Sequence, residues 1–252
     1  MDGKRTARRR WWRWAAAAAA ALVLTGGGLA LLAWNGVIWP NRFAVGGYDV
    51  RGVDVSAYQG EIDWPVLAEQ DLDFAFLKAT EGSSHVDERF AANWAGARDT
   101  DLLVGAYHFL SFESSGQDQA AHLIEQVPDE PGTLPPVVDV EYYGEFADSP
   151  PSVDELRGIL DPMLAALEDH YGAPPIIYTT QEVRSTYLGD DYGDYPLWIR
   201  SVVTAPDLPR RDWTFWQYSD RDVLDGYSGE ETHIDMNVFD GSLDDLRAMT
   251  LD

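Results

Sequence analysis

The apolar positions of the chain fall into two regimes. From Trp14 to Trp34 no charge interrupts 21 residues dominated by Ala15 to Ala21, Leu22, Val23, Leu24 and Leu29 to Leu32. As a helix this run would measure roughly 31 Å, about one hydrocarbon core. Beyond Gly47 the apolar positions come instead in short runs of strand length, separated by stretches of helical spacing. The runs are Gly52–Val55, Phe74–Ala79, Leu103–Phe109, Val137–Glu141, Ile176–Thr179, Leu197–Arg200, Thr214–Gln217 and Ile234–Asn237. Several are continuously hydrophobic rather than alternating, as strands covered on both faces are.

The intervening segments carry helix signals. Asp63 precedes Pro65 at a helix start. Phe90, Ala91, Trp94 and Ala95 recur at helical spacing, and so do Ala120, Leu123, Ile124 and Val127. Ser152 and Glu155 form a capping box before Leu156, Ile159, Leu160, Met163, Leu164 and Leu167, and Gly172 and Pro174 end that helix. After Leu197 the signals fade: Ser201 to Asp212 holds Pro206 and Pro209 and cannot form a long helix. Alternating strands and helices predict a parallel sheet, and eight strands predict closure. The expected fold is α/β, an incomplete (β/α)8 TIM-like barrel preceded by an N-terminal transmembrane helix.

Charge separates the two regimes further. Residues 1–42 carry seven Lys or Arg against Asp2, a net of +6, whereas the other 210 residues carry 11 basic and 42 acidic side chains, a net of −31. So acidic a domain repels phosphate backbones, which excludes nucleic acid as a partner. Zero cysteine excludes a disulfide framework, a thiolate metal site and a cysteine nucleophile. Lys4, Arg5, Arg8, Arg9, Arg10 and Arg13 precede the apolar run, and Trp11, Trp12, Trp14, Trp34 and Trp39 stand at its ends. This pattern predicts a cytoplasmic N-terminus and an external C-terminal domain. A cleaved signal peptide would have an apolar region of roughly 7–15 residues and a small-x-small site, which Leu31 to Asn35 does not offer. The expected division is therefore 1–13 as a basic cytoplasmic segment, 14–35 as a transmembrane anchor or uncleaved signal segment, 36–48 as a linker and 49–252 as the barrel. The location that follows is a single-pass cell-membrane protein, or a secreted one if the segment is cleaved. A monomer is expected.

Barrel chemistry sits at the C-terminal ends of the strands. Asp54 ends the first, Glu81 lies just beyond the second, Asp139 and Glu141 end the fourth, and Asp235 lies within the last. No phosphate loop, serine–histidine set or metal set accompanies them, and no cofactor is implied. Asp139 and Glu141, two apart, share one face of their strand with Cα atoms roughly 6.6 Å apart. Two acids so close in a desolvated cleft cannot ionise equally, and a protonated carboxyl beside an ionised one suits glycosidic cleavage. Tyr58, Tyr107, Tyr142, Tyr178, Trp198, Trp216 and Tyr218 lie near the same ends, where aromatic faces suit sugar rings. His108, inside an apolar run, reads as an interior histidine.

These residues, in order, resemble the glycoside hydrolase family 25 muramidases, the Chalaropsis-type lysozymes. The resemblance spans Gly52 to Gly241 and includes Gly52-Val53-Asp54-Val55-Ser56, Phe76-Leu77-Lys78-Ala79-Thr80-Glu81-Gly82, Gly105-Ala106-Tyr107-His108-Phe109 and Pro136-Val137-Val138-Asp139-Val140-Glu141. Trp216-Gln217-Tyr218-Ser219 and Ile234-Asp235-Met236-Asn237-Val238-Phe239 complete it. It implies hydrolysis of the β-1,4 bond between N-acetylmuramic acid and N-acetylglucosamine in peptidoglycan. By position Glu141 matches the proton donor and Asp139 its partner carboxylate, acting as nucleophile or by orienting the substrate's N-acetyl group. Asp54 and Asp235 match acids of the cleft, and Tyr58, Glu81, Tyr107, Tyr142, Tyr178, Trp198, Trp216 and Gln217 are implied to contact the glycan strand. One departure is Arg200-Ser201-Val202, where the family usually has a small residue and then an aromatic. The alternative is a non-catalytic peptidoglycan-binding domain on a membrane tether.

Overall fold

The computed structural model describes residues 3–34, 39–208 and 212–252, and between 3 and 34 the side chains of 11, 12, 14–28, 31 and 32. The chain divides into two compact units, Met1–Trp39 and Pro40–Asp252. In the first, the alanine- and leucine-rich run lies within helix α1 (Gly3–Trp34), as its propensities favour. Its described apolar side chains, including Trp11, Leu22, Val23 and Leu31, are exposed. Among the described residues no helix is long and apolar enough to cross a membrane. Of the stretch 14–35 expected to do so, the side chains of 29, 30, 33 and 34 and the whole of Asn35 lie outside the described residues.

In the second unit every expected strand forms. The strands are β1 (Arg51–Val55), β2 (Phe74–Glu81), β3 (His85–Val86), β4 (Leu103–Phe109), β5 (Val137–Val140), β6 (Ile176–Thr180), β7 (Leu197–Arg200), β8 (Phe215–Asp222) and β9 (Ile234–Phe239). All but the short β3 form a ring, which the parallel pairing of β1 with β2 closes. The sheet is not parallel throughout, as the alternation of elements predicts. β9 runs antiparallel to both β8 and β1. The reason is the connection: residues 223–233 contain no helix, and a chain that returns without a crossover can only make a hairpin.

The helices are α2 (Trp64–Ala68), α3 (Phe90–Arg98), α4 (Gly116–Gln126), α5 (Val153–Tyr171), the single turn α6 (Gln181–Val183) and α7 (Leu243–Arg247). Asp63 caps α2, the Ser152–Glu155 box starts α5, and Gly172 ends α5 in the left-handed conformation at φ 69°. Among the described residues no helix follows β7 or β8, so the barrel wall is incomplete there.

Strand alternation sorts side chains into two layers. Val53, Leu77, Val104, Val138, Val140 and Ile199 pack outward against the helices. Phe74, Phe76, Val137, Ile176, Trp198, Phe215 and Phe239 fill the lumen. Phe76 stacks on Trp198 at 4.7 Å, and Phe74 meets Phe215 at 5.4 Å. Each such ring contributes about 1.5–3 kcal/mol by burial. Gly52 and Gly105 make room for this plug, because a Cβ on either would lie 2.4 Å and 2.6 Å from the rings of Phe74 and Phe76.

The segment expected as a linker is partly docked. Residues 40–48 lie against the strands that lack helices. Buried Asn41 donates from Nδ2 to the carbonyls of Ser201 (2.7 Å) and Tyr218 (2.9 Å), and Arg42 pairs with Asp222. Val45 is buried, and Tyr48 packs 5.5 Å from Trp213 and 6.2 Å from Trp216. Nine residues so placed cover the outer face of β8 as a helix would. Truncation to 49–252 should therefore lower Tm relative to 40–252 by at least about 2 °C, since it removes two hydrogen bonds of about 0.5–1.5 kcal/mol each as well as the burial of Val45 and Tyr48. Thermal melts of the two fragments followed by circular dichroism check this, and equal midpoints would show the segment to be dispensable.

Candidate active site

The barrel strands change from apolar to polar at one level. Stepping two residues towards the strand ends takes Gly52 to Asp54, Phe76 to Lys78, Gly105 to Tyr107, Val137 to Asp139, Ile176 to Tyr178, Trp198 to Arg200 and Phe215 to Gln217. The antiparallel β9 supplies Asp235 from the other direction. These eight polar residues, with Trp198, Phe109 and Glu141, line a cavity of about 290 Å³ at the mouth of the lumen. All four acids expected at the centre, Asp54, Asp139, Glu141 and Asp235, are among them. Val138 and Val140 point outward, so Asp139 belongs to the mouth because of the pleat of β5.

Asp54 and Asp235 are direct cross-strand partners on β1 and β9. Like charges placed so would repel, and the site answers with amides and a hydrogen bond between the two carboxyls. Gln217 donates from Nε2 to Asp54 (2.9 Å) and Asp235 (3.0 Å), and Asn237 donates from Nδ2 to Asp54 (2.8 Å). Each amide is fixed by a further bond, Tyr178 donating to Gln217 Oε1 at 2.9 Å and the Trp198 indole donating to Asn237 Oδ1 at 2.8 Å. Burial raises both carboxyls. Asn237 and Gln217 draw Asp54 back down, while the nearby Asp54 charge pushes Asp235 well above the usual carboxylate range.

Asp139 is buried at 6% exposure, and its Oδ1 has no hydrogen-bond partner. Burial, then the adjacent Glu141, holds its proton affinity well above the ordinary value. Burial also raises Glu141, which Arg200 draws back. Lys78 and Arg200 are the cations of the cavity. Lys78 is engaged by Glu81 at 2.7 Å and Arg200 by Asp220 at 3.2 Å. Two partly spent cations cannot offset four carboxylates at low dielectric, so the mouth keeps protons.

Other expected contact residues divide. Tyr107, Tyr178, Trp198 and Gln217 line the cavity. Tyr58 lies in an adjoining hollow of about 510 Å³ that shares Asp54, Lys78, Tyr107 and Asp235 with it. Glu81 borders a third, of about 840 Å³, which also contains Tyr58 and Lys78. Tyr142 and Trp216 do not reach the cavity. Trp216 points outward on β8, its indole donating to the Ser201 carbonyl at 3.0 Å, because neighbours on a strand take opposite faces and Gln217 holds the inward one. Tyr142 packs against the helix layer, 6.0 Å from Tyr187. Tyr218 is buried in the same layer. Lys78, Phe109, Arg200 and Asn237 are the residues that sequence reasoning left out of the site; the period of two, carried through each strand, places them.

His108 is an interior residue on the outward side of β4. Gln119 donates both amide hydrogens to the carbonyls of Ser111 and Ser114, so its oxygen accepts from His108 Nε2 (3.0 Å). Nδ1 is left to accept from Thr80 (2.7 Å). Burial lowers the ring to about 4, which keeps it neutral.

The sequence profile of the glycosyl hydrolases family 25 matches residues 53–227. The chain is similar to a family 25 glycosyl hydrolase from Bacillus anthracis of known structure, with 48% identity and a TM-score of 0.76 over 80% of this chain and 93% of that one. It is 38% identical to the uncharacterized protein YegX of Escherichia coli K12, over 80% of this chain and 73% of YegX. It is 34% identical to lysozyme M1 of Streptomyces globisporus, over 83% of this chain and 75% of that protein.

A carboxyl with a raised proton affinity works against folding wherever the unfolded chain would ionise it. At neutral pH, Asp139→Asn removes that cost. The substituted protein should melt higher than wild type, by about 2–4 °C for each kcal/mol recovered. The gain should vanish as pH falls below the ordinary carboxylate range, where both states are protonated. Melting curves of the two proteins across pH check this, and a lower Tm for Asp139→Asn at pH 7 would contradict it.

Proposed function

The chain belongs to the glycosyl hydrolases family 25, and on that footing we propose that this glycoside hydrolase is a peptidoglycan muramidase, with Glu141 as its general acid and base. The bond cleaved is the β-1,4 link from N-acetylmuramic acid to N-acetylglucosamine. The observation that carries the reading is the convergence of Asp54, Asp139, Glu141 and Asp235 on one cavity, which shares Asp54 and Asp235 with an adjoining hollow. The names of relatives such as lysozyme M1 support the substrate.

Glu141, less deeply buried than Asp139, protonates the glycosidic oxygen as the C1–O bond breaks, and the leaving sugar departs with a 4-hydroxyl. Asp139 accepts the N–H of the 2-acetamido group and turns its carbonyl oxygen onto C1, closing a five-membered ring. Before substrate binds, Asp139 holds the proton of the pair more tightly than Glu141. The acetamido N–H takes that proton's place on Asp139 and leaves it to Glu141, and its own acidity climbs as positive charge builds on the acetamido group. Water then adds at C1, its proton returning to Glu141, and the ring reopens with net retention. Asp54 and Asp235, sharing one proton, contribute a single negative charge beneath the developing cation.

Glu141→Gln should lower the rate of wall lysis at least about a hundredfold while wall binding persists. Mass analysis of wild-type products should find muramic acid at the new reducing ends. Full activity in Glu141→Gln, or N-acetylglucosamine at those ends, would overturn the reading.

We further infer that the stretch 14–35, of which the side chains of 29, 30, 33 and 34 and the whole of Asn35 lie outside the described residues, tethers the enzyme to the cell membrane, N-terminus inside. The support is the 21-residue uncharged run, the arginine cluster before it and the tryptophans at its ends. The full chain should stay with membranes through alkaline extraction, with the barrel open to protease added outside the cell. Recovery of a shortened chain in the medium would instead indicate cleavage.

A further inference from the structure

We propose that Arg200, held by Asp220, is a positioning residue that governs how readily Glu141 gives up its proton, and thereby the pH range of the enzyme. The proposal rests on the reading of Glu141 as the acid. It concerns the Arg200-Ser201 step that follows Trp198-Ile199 at the end of β7.

Glu141 stands just past the end of β5 among charges from several strands. Asp139 stands two residues back on the same strand, Asp54 comes from β1 and Asp235 from β9. Tyr107 of β4 and Tyr178 of β6, whose hydroxyls burial keeps protonated, add no charge. On the cationic side stand Lys78 of β2 and Arg200 of β7. Lys78 is spent on Glu81, with its ammonium also 5.2 Å from the centre of the Phe109 ring. Lys78 still acts on Asp139, and Arg200 is the cation that acts on Glu141. Its field favours the ionised form of all four.

Arg200 does not pair directly with Glu141. Its guanidinium donates instead to Asp220 on β8, a residue that faces the groove beside Arg221 and also acts on Asp235. This geometry matters to the reaction. When Glu141 donates its proton it becomes a carboxylate among other acids. Without a cation nearby, the proton is held too tightly. With a cation in full contact, it is lost before substrate arrives. Asp220 keeps Arg200 between these limits, drawing the guanidinium aside and cancelling part of its charge. A planar group with five N–H donors can serve Asp220 and still present hydrogens to the cavity.

The test is the pH profile of wall lysis by the full chain, measured as initial rates at low wall concentration so that kcat/KM is read. The alkaline limb marks the loss of the Glu141 proton. In Arg200→Gln that limb should move up by about one pH unit, the size of effect an opposite charge at close range exerts. In Asp220→Asn it should move down, because the cation is no longer offset and a nearby anion is gone. Arg200→Lys should stay near wild type. A merely structural role predicts lost activity without opposed shifts. An unmoved limb in Arg200→Gln, or shifts of one sign in both variants, would overturn the proposal. Should Arg200→Gln fail to fold, Asp220→Asn decides, and a limb that holds or rises there counts against Arg200. Glu141→Gln is assayed alongside. Full activity in it sinks the parent reading; inactivity with an unmoved Arg200→Gln limb sinks the Arg200 assignment alone.

Discussion

Four carboxyl groups gathered at the mouth of a closed barrel, with two partly engaged cations beside them, are the constraint from which the rest of this molecule follows. At low dielectric such a cluster cannot ionise fully. The protein keeps it with a hydrogen bond between the Asp54 and Asp235 carboxyls, with amide hydrogens from Gln217 and Asn237 on that pair, and by leaving Asp139 buried without a partner for Oδ1. The fixed orientations of Gln217 and Asn237 come from Tyr178 and Trp198, so aromatic residues that floor the cavity also set its hydrogen-bond polarity.

That arrangement needs a rigid foundation, and the aromatic lumen provides it. The Phe74, Phe76, Trp198 and Phe215 rings fill the space directly beneath the acids, and Gly52 and Gly105 are small because those rings press against their backbones. Water cannot enter from below to relax the carboxyls. The energy that burial of the rings supplies is partly spent on holding groups that would rather be solvated, the usual relation between a stable scaffold and a destabilised site. The antiparallel β9 belongs to the same design, since it brings Asp235 opposite Asp54.

The barrel wall is weakest outside β7 and β8, where no described helix covers the strands. Residues 40–48 take that place, with Asn41 satisfying carbonyls at Ser201 and Tyr218 and Arg42 holding Asp222. The same two strands carry Arg200, Gln217 and Asp220 into the groove. The segment between helix α1 and the catalytic unit therefore buttresses the wall of the site that its sequence position gives no hint of touching.

What the sequence determined by itself was local. Periodicity placed the eight barrel strands, the capping box at Ser152 and Glu155 placed the start of α5, and the two-residue spacing of Asp139 and Glu141 brought both to one cavity. These signals are legible because pleat, cap and spacing act within a few residues. Tertiary structure alone decided the rest. The direction of β9 depended on a connection without a helix, and the burial of Asn41 on carbonyls 160 and 177 residues away. Trp216 and Gln217 look equally suited to a sugar groove in the sequence, yet closure of the ring turns one outward and one inward. The proton affinities of the acids, and the roles of Lys78 and Arg200 among them, arise from groups on different strands that meet only when the barrel closes and water is excluded.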